Sequence, residues 1–215
     1  MAAATNPPVK DRAELIRRGQ FLVYLTLATC IVEAFVSIGA GLMAGSVALL
    51  GFGFDSLIEV TSGGSILWLL YQDADVTRRK KKEATALRII GWCFLALAAY
   101  IGYESLASLV RHEVPSRSIP GICVAVFSLL AMNLLARAKR RVAQGISSAA
   151  MRADAKQSDL CSYLSAILLG GLLLNALLGW WWADPIAGLL MVPIIAKEGA
   201  DVLRGKGCEC VDVCQ

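Results

Sequence analysis

Residues 51–70 read GFGFDSLIEVTSGGSILWLL. The run is apolar enough for a membrane helix, yet Asp55 and Glu59 sit four residues apart near its middle. A helix turns ~100° per residue, so residues at this spacing share one face. Each carboxylate is costly at the centre of a bilayer unless water or a partner compensates it. A single buried acid is often a hydrogen bond between helices. Two on one face are a pair of oxygen donors of the kind that surrounds a cation.

The rest of the chain sets the environment of that pair. Hydrophobic residues make up 57% of the 215 and charged ones only 18%. A soluble domain of this size cannot hide so much apolar surface. The chain reads as an all-α, multi-pass protein of the cell membrane, lying in a lipid bilayer. Six apolar segments can be drawn, at roughly Phe21–Met43, Ser46–Tyr71, Ala86–Val110, Ile119–Ala136, Ser147–Leu178 and Trp181–Leu203. Each is long enough to cross a ~30 Å core at ~1.5 Å per residue. A barrel would need alternating strands of about ten residues, a pattern the sequence lacks. Turn signals separate the segments: Ala44-Gly45, DADVTRRKKKE, RHEVPSRS, Gly145 and Gly179.

Charge orients the segments. Of the 21 Lys and Arg, all but Arg111 and Arg117 fall in four places. These are the N-terminal tail, TRRKKKEATALR, RAKRRVAQGISSAAMRADAK and the C-terminal stretch. That asymmetry predicts six transmembrane helices with both termini cytosolic. The runs RRKKK and RAKRR then act as topology anchors, with contact to anionic lipid as a second role. Trp180, Trp181 and Trp182 read as an outer interfacial belt. The start, MAAATNPPVKDRAELIRRGQ, is too polar for a secretory signal. A net charge of +4 spread between loops offers no stripe for nucleic acid. The expected division is a cytosolic tail over 1–17, a transport domain over 18–205 and a Cys-rich cytosolic tail over 206–215.

A cation site needs a second wall, and the fifth segment supplies one. In MRADAKQSDLCSYLSA, Asp154, Gln157, Ser158 and Cys161 fall within an arc of roughly 100°, while Asp159 points away. Entering from opposite sides, the carboxylates of the second segment lie about nine to thirteen residues deep, and Gln157 and Cys161 about ten to fourteen. At ~1.5 Å per residue both sets reach the midplane.

Asp55 and Glu59, the fifth-segment stripe, WWWADPIAGLL (180–190) and IGYESLASLVRHEVP (101–115) together resemble the cation diffusion facilitator (cation efflux) family. The resemblance covers about residues 18–204. In that family a pair of ligands spaced four apart on helix two faces a second pair on helix five. Asp55 and Glu59 match the first pair. The pattern A-D-x-x-H-x-x-x-D falls on Ala153, Asp154, Gln157 and Cys161, so that Gln and Cys replace His and Asp. The implied metal site is Asp55, Glu59, Asp154, Gln157 and Cys161. Three carboxylates, an amide oxygen and a sulfur admit zinc, cadmium, cobalt, iron, nickel or manganese. Two departures from the family are expected: no ferredoxin-like C-terminal domain after Leu203, and no histidine-rich loop between helices four and five.

The chain ends GKGCECVDVCQ, where Cys208, Cys210 and Cys214 stand with Glu209 and Asp212. This cluster reads as a cytosolic capture site for metal, with a redox sensor or a plain tail as alternatives. Cys30, Cys93 and Cys123 read as small core residues. Glu33 and Glu104 are balanced between interhelical hydrogen bonding and a functional role. Asn133 reads as packing, Asp184 as the cap of the sixth helix, and His112 as a surface residue.

The function expected from these readings is export of a divalent transition-metal ion by alternating access. The metal is a substrate, with no permanent cofactor, and the chain is not an enzyme. Exchange for protons and a homodimeric state follow from the resemblance. The alternatives are a non-transporting membrane metal sensor or accessory protein, and a membrane thiol-disulfide oxidoreductase suggested only by the seven cysteines.

Overall fold

Left-handed backbone marks three corners of the chain. Gly45 (φ 65°), His112 (φ 54°) and Gly179 (φ 68°) stand at or just beyond the ends of three helices. Glycine takes this conformation without strain. His112 takes it with its ring against Trp181, the centroids 5.0 Å apart. A computed structural model describes residues 9–71, 76–145 and 149–204, which form six helices. They are α1 (Val9–Ala44), α2 (Val47–Tyr71), α3 (Val76–Arg111), α4 (Ile119–Gly145), α5 (Ala149–Leu178) and α6 (Ala183–Leu203).

Three helices overrun their apolar segments. α1 starts at Val9 rather than Phe21, α3 at Val76 rather than Ala86, and α4 continues to Gly145 rather than Ala136. The overruns are rich in Lys, Arg, Glu and Ala, which are strong helix formers. Hydropathy marks where a helix meets lipid, whereas propensity decides where its hydrogen-bond ladder stops. Among the described residues, Arg17–Ala44, Arg88–Arg111, Ile119–Gly145 and Asp154–Leu178 are long and apolar enough to cross a membrane. The protein is a multi-pass membrane protein. α2 carries no charged residue apart from Asp55 and Glu59, and α6 carries Asp184, Lys197, Glu198 and Asp201.

α1 packs on α2 and α4, and α4 on α5, while α3 pairs chiefly with α6. Phe52, Ile101, Met132, Leu168 and Met191 fill the centre, and Phe35, Trp92, Tyr103 and Leu177 face outward. Lipid is as apolar as leucine, so such helices associate through close packing rather than through a hydrophobic drive. Gly91 of α3 and Gly199 of α6 show this. A Cβ placed on Gly199 would lie 2.9 Å from Phe94 Cβ and 3.0 Å from the Gly91 carbonyl oxygen.

One end of the bundle is laced by hydrogen bonds. Ser46 caps α2, its Oγ accepting from Leu49 N at 3.1 Å and donating to Asp184 Oδ1 at 2.5 Å. Asp184 Oδ2 accepts from Val47 N at 3.0 Å. Asp184 therefore does not cap its own helix. The N-cap of α6 is Trp182, which makes no side-chain cap, and the acid instead serves the free amides at the start of α2. Ser116 N donates to the Ala44 carbonyl at 2.8 Å, and Asn175 Nδ2 donates to the Pro115 carbonyl at 3.0 Å.

Two stability outcomes follow from this packing, each read by thermal unfolding of the detergent-solubilised protein. Gly199→Ala forces α3 and α6 apart and destabilises by about 1–3 kcal/mol, whereas Gly39→Ala, with open space around it, is neutral or stabilising. Asp184→Ala removes the acceptor for Val47 N and Ser46 and lowers stability by roughly 0.5–2 kcal/mol.

Candidate functional site

α2 carries its two acids into the bundle one turn apart, both buried. Glu59 is held from two sides. Gln157 Nε2 of α5 donates to Oε1 at 2.8 Å, and the Cys30 thiol of α1 donates to Oε2 at 3.4 Å. The acidic face of α2 therefore points between α1 and α5. Asp55 lies one turn closer to the laced end, and the charges that bear on it are Glu59, Glu198 of α6 and Glu33 of α1.

Glu33 is fully buried opposite this pair. Its Oε2 accepts from the Cys161 thiol at 3.8 Å and from Ser56 Oγ at 3.5 Å. The groups that act most on Cys161 are, in order, Glu59, Glu33, Cys30 and Asp55. The two hydrogen-bonded clusters, Gln157–Glu59–Cys30 and Cys161–Glu33–Ser56, thus adjoin at Cys161.

Asp154 has a different partner. Lys139 of α4 is fully buried, with Nζ 2.8 Å from Asp154 Oδ2 and donating to Ser158 Oγ at 3.0 Å. Its charge also reaches Glu59. Lys139, expected to be one of several topology anchors, is instead an interior ion pair. Asp159 lies off the site and pairs with Arg140 at 2.7 Å. Of the five expected ligands, the structure brings Glu59 and Gln157 into contact and sets Asp55 and Cys161 beside them. Asp154 is directed to Lys139.

Three interior residues stand beside the expected ligands without belonging to that set: Cys30, Glu33 and Lys139. The first two carried a signal, since a spacing of three puts both on one face of α1. Lys139 carried one as well. The buried stripe Met132, Leu135, Ala136 resumes at Val142 and Ala143 and leaves Lys139 in phase between them. Only Cys30 of the three single cysteines is buried; Cys93 and Cys123 are exposed, which on a membrane helix is a lipid-facing position. Cys208, Cys210 and Cys214 lie outside the described residues.

Among the described residues no three His, Cys, Asp or Glu side chains are grouped so as to hold an ion as they stand. The donors are joined pairwise through hydrogen bonds. Chemically they comprise carboxylate oxygens, two thiols and the Gln157 amide, whose oxygen replaces its nitrogen at the site by a half-turn of the amide. Such a set suits a divalent cation.

Known proteins resemble this chain over most of its length. The chain is 23% identical over 188 residues to transmembrane protein 163 of Xenopus laevis, covering 87% of this chain and 66% of that one. It is 23% identical to an uncharacterized transporter of Synechocystis sp. (84% of this chain, 60% of the relative). An uncharacterized transporter of Methanocaldococcus jannaschii is 24% identical (83% and 65%). The chain thus spans about three-fifths to two-thirds of the length of these curated relatives. Residues 23–206 match the cation efflux transmembrane domain, and with most of its length so matched the chain belongs to the cation efflux family, which comprises membrane transporters rather than enzymes.

Proposed function

We propose that this protein moves a divalent transition-metal ion out of the cytosol through a site centred on Asp55 and Glu59. The observation that carries the reading is the contact between Gln157 Nε2 and Glu59 Oε1 at 2.8 Å. It joins the two helices whose polar stripes were expected to meet, deep in an apolar bundle. Asp55, Glu59, Gln157 and Cys161 serve as ligands, and Asp154 joins them when an arriving cation displaces it from Lys139. Intramembrane ionisable residues of this kind mark ion pathways.

The remaining parts of the reading rest on the sequence and on the family. Six spans with cytosolic termini follow from the placement of Lys and Arg. Alternating access opens the site first to the cytosol and then outward. Protons counter the metal because ligands bind it deprotonated, and protonation on the far side releases it. Homodimerisation is the state expected from the family, and the Cys208–Cys214 segment gathers metal at the inner mouth.

Transport into liposomes tests the core of the proposal. Asp55→Asn keeps shape and removes an anionic ligand, so flux per folded molecule falls by at least about tenfold, while folding is retained or improved because a costly acid is gone. A purely structural acid gives the reverse: less folded protein with unchanged normalised flux. Topology is tested with a variant whose only cysteines are Cys208, Cys210 and Cys214. An impermeant thiol reagent outside intact cells leaves that tail unlabelled and labels it once the cells are opened; strong outside labelling reverses the orientation.

A further inference from the structure

The acids expected to hold the cation stood on two helices, α2 and α5. In the structure one of them is spoken for: Asp154 is held by Lys139 at 2.8 Å. A third helix supplies further donors. Glu33 of α1 is 0% exposed, and its Oε1 has no hydrogen-bond partner among the described residues. A carboxylate oxygen in an apolar interior with no donor aimed at it is costly. Its lone pairs remain free for a ligand.

We infer that α1 is part of the cation site, with Glu33 and Cys30 as ligands alongside Glu59 and Cys161, and that the site therefore takes a thiophilic divalent ion of the zinc or cadmium kind. The inference rests on the reading of α2 and α5 as the transport site and extends it. The geometry supports it in three ways. Cys30 Sγ is 3.4 Å from Glu59 Oε2, and Cys161 Sγ is 3.8 Å from Glu33 Oε2. Each thiol therefore already faces a carboxylate of another helix. Cys30 and Glu33 stand one turn apart on α1, and Gln157, which contacts Glu59, stands one turn from Cys161 on α5, so the two thiol–carboxylate pairs are neighbours. In each pair the thiol hydrogen bridges the sulfur and oxygen atoms that a cation would bridge. Entry of the ion exchanges two S–H···O hydrogen bonds for metal–sulfur and metal–oxygen bonds, and the two thiol protons leave to solvent. Two sulfurs and two carboxylates make a set that favours zinc or cadmium over manganese, which prefers oxygen alone.

The test uses the full chain in detergent with Cys208→Ser, Cys210→Ser and Cys214→Ser in every sample, so that tail thiols bind nothing. Zinc and cadmium affinities are measured by competition with a chelating dye, and cobalt binding by its thiolate-to-metal charge-transfer absorption. Glu33→Gln is expected to weaken zinc binding by about 10- to 100-fold. Cys30→Ala is expected to halve, roughly, the charge-transfer intensity per bound cobalt and to weaken cadmium more than manganese. Asp55→Asn is the reference for the underlying reading. If it abolishes binding while Glu33→Gln and Cys30→Ala both match the parent in affinity and spectrum, α1 is not part of the site and the α2–α5 reading stands. If the parent binds no zinc, cadmium or cobalt, both readings fall. Should Glu33→Gln not fold, the cobalt spectrum of Cys30→Ala decides alone: an intensity equal to that of the parent overturns the inference.

Discussion

A carboxylate buried among apolar helices must find donors, and Glu59 governs this fold through that need. Its two oxygens are met by groups from different helices, Gln157 of α5 and Cys30 of α1. Leaving either oxygen bare in this setting would cost about 1–3 kcal/mol or more. The rotation of α2 about its own axis, and the identity of the helices on either side of it, are therefore tied to one side chain. Lys139 imposes the same discipline on α4 and α5, since a fully buried ammonium needs Asp154 and Ser158 beside it. Apolar packing alone, between helices that lipid solvates equally well, would not choose among rotations so sharply.

The two ends of the bundle are built differently. Near Gly45, hydrogen bonds tie α1 and α5 to the loop that precedes α4, and Asp184 ties α6 to the start of α2. Beyond the level of Glu59 the ties are ion pairs and thiol–carboxylate contacts, all of which a cation can exchange for its own bonds. A transporter of the kind proposed needs such an arrangement: one region that keeps register and another whose contacts have an alternative. The close approach of α3 and α6 at Gly91 and Gly199 adds a rigid pair beside the bundle.

Much of the chemistry stands in a balance of charge. Asp55, Glu59 and Glu33 are all buried in the interior, where the buried cationic side chain among the described residues is Lys139. An excess of carboxyl groups over cationic side chains in a low-dielectric space is the condition under which a divalent ion gains most by entering. The ion pair Lys139–Asp154 then has two meanings at once. It satisfies the lysine, and it holds in reserve a carboxylate that a stronger cation can claim.

What the sequence by itself determined was the class, the number of helices and the presence of charge inside them. Those follow from composition and from the ~100° step of a helix, which put Asp55 with Glu59 on one face and Gln157 with Cys161 on another. Local propensity also settled the long ends of α1, α3 and α4, although hydropathy concealed them. Partnership was decided only by the tertiary structure. Asp184, which by position precedes its own helix like a cap, serves α2, because the free amides that it reaches belong to a segment more than a hundred residues away. Lys139, one of four basic residues in RAKRR, is buried because the stripe of α4 turns it toward α5. Cys30 and Glu33 enter the site only when α1 is laid against α2 and α5. Periodicity fixes which residues share a face of one helix; which faces meet depends on how several helices satisfy their buried polar groups together, and no single segment carries that information.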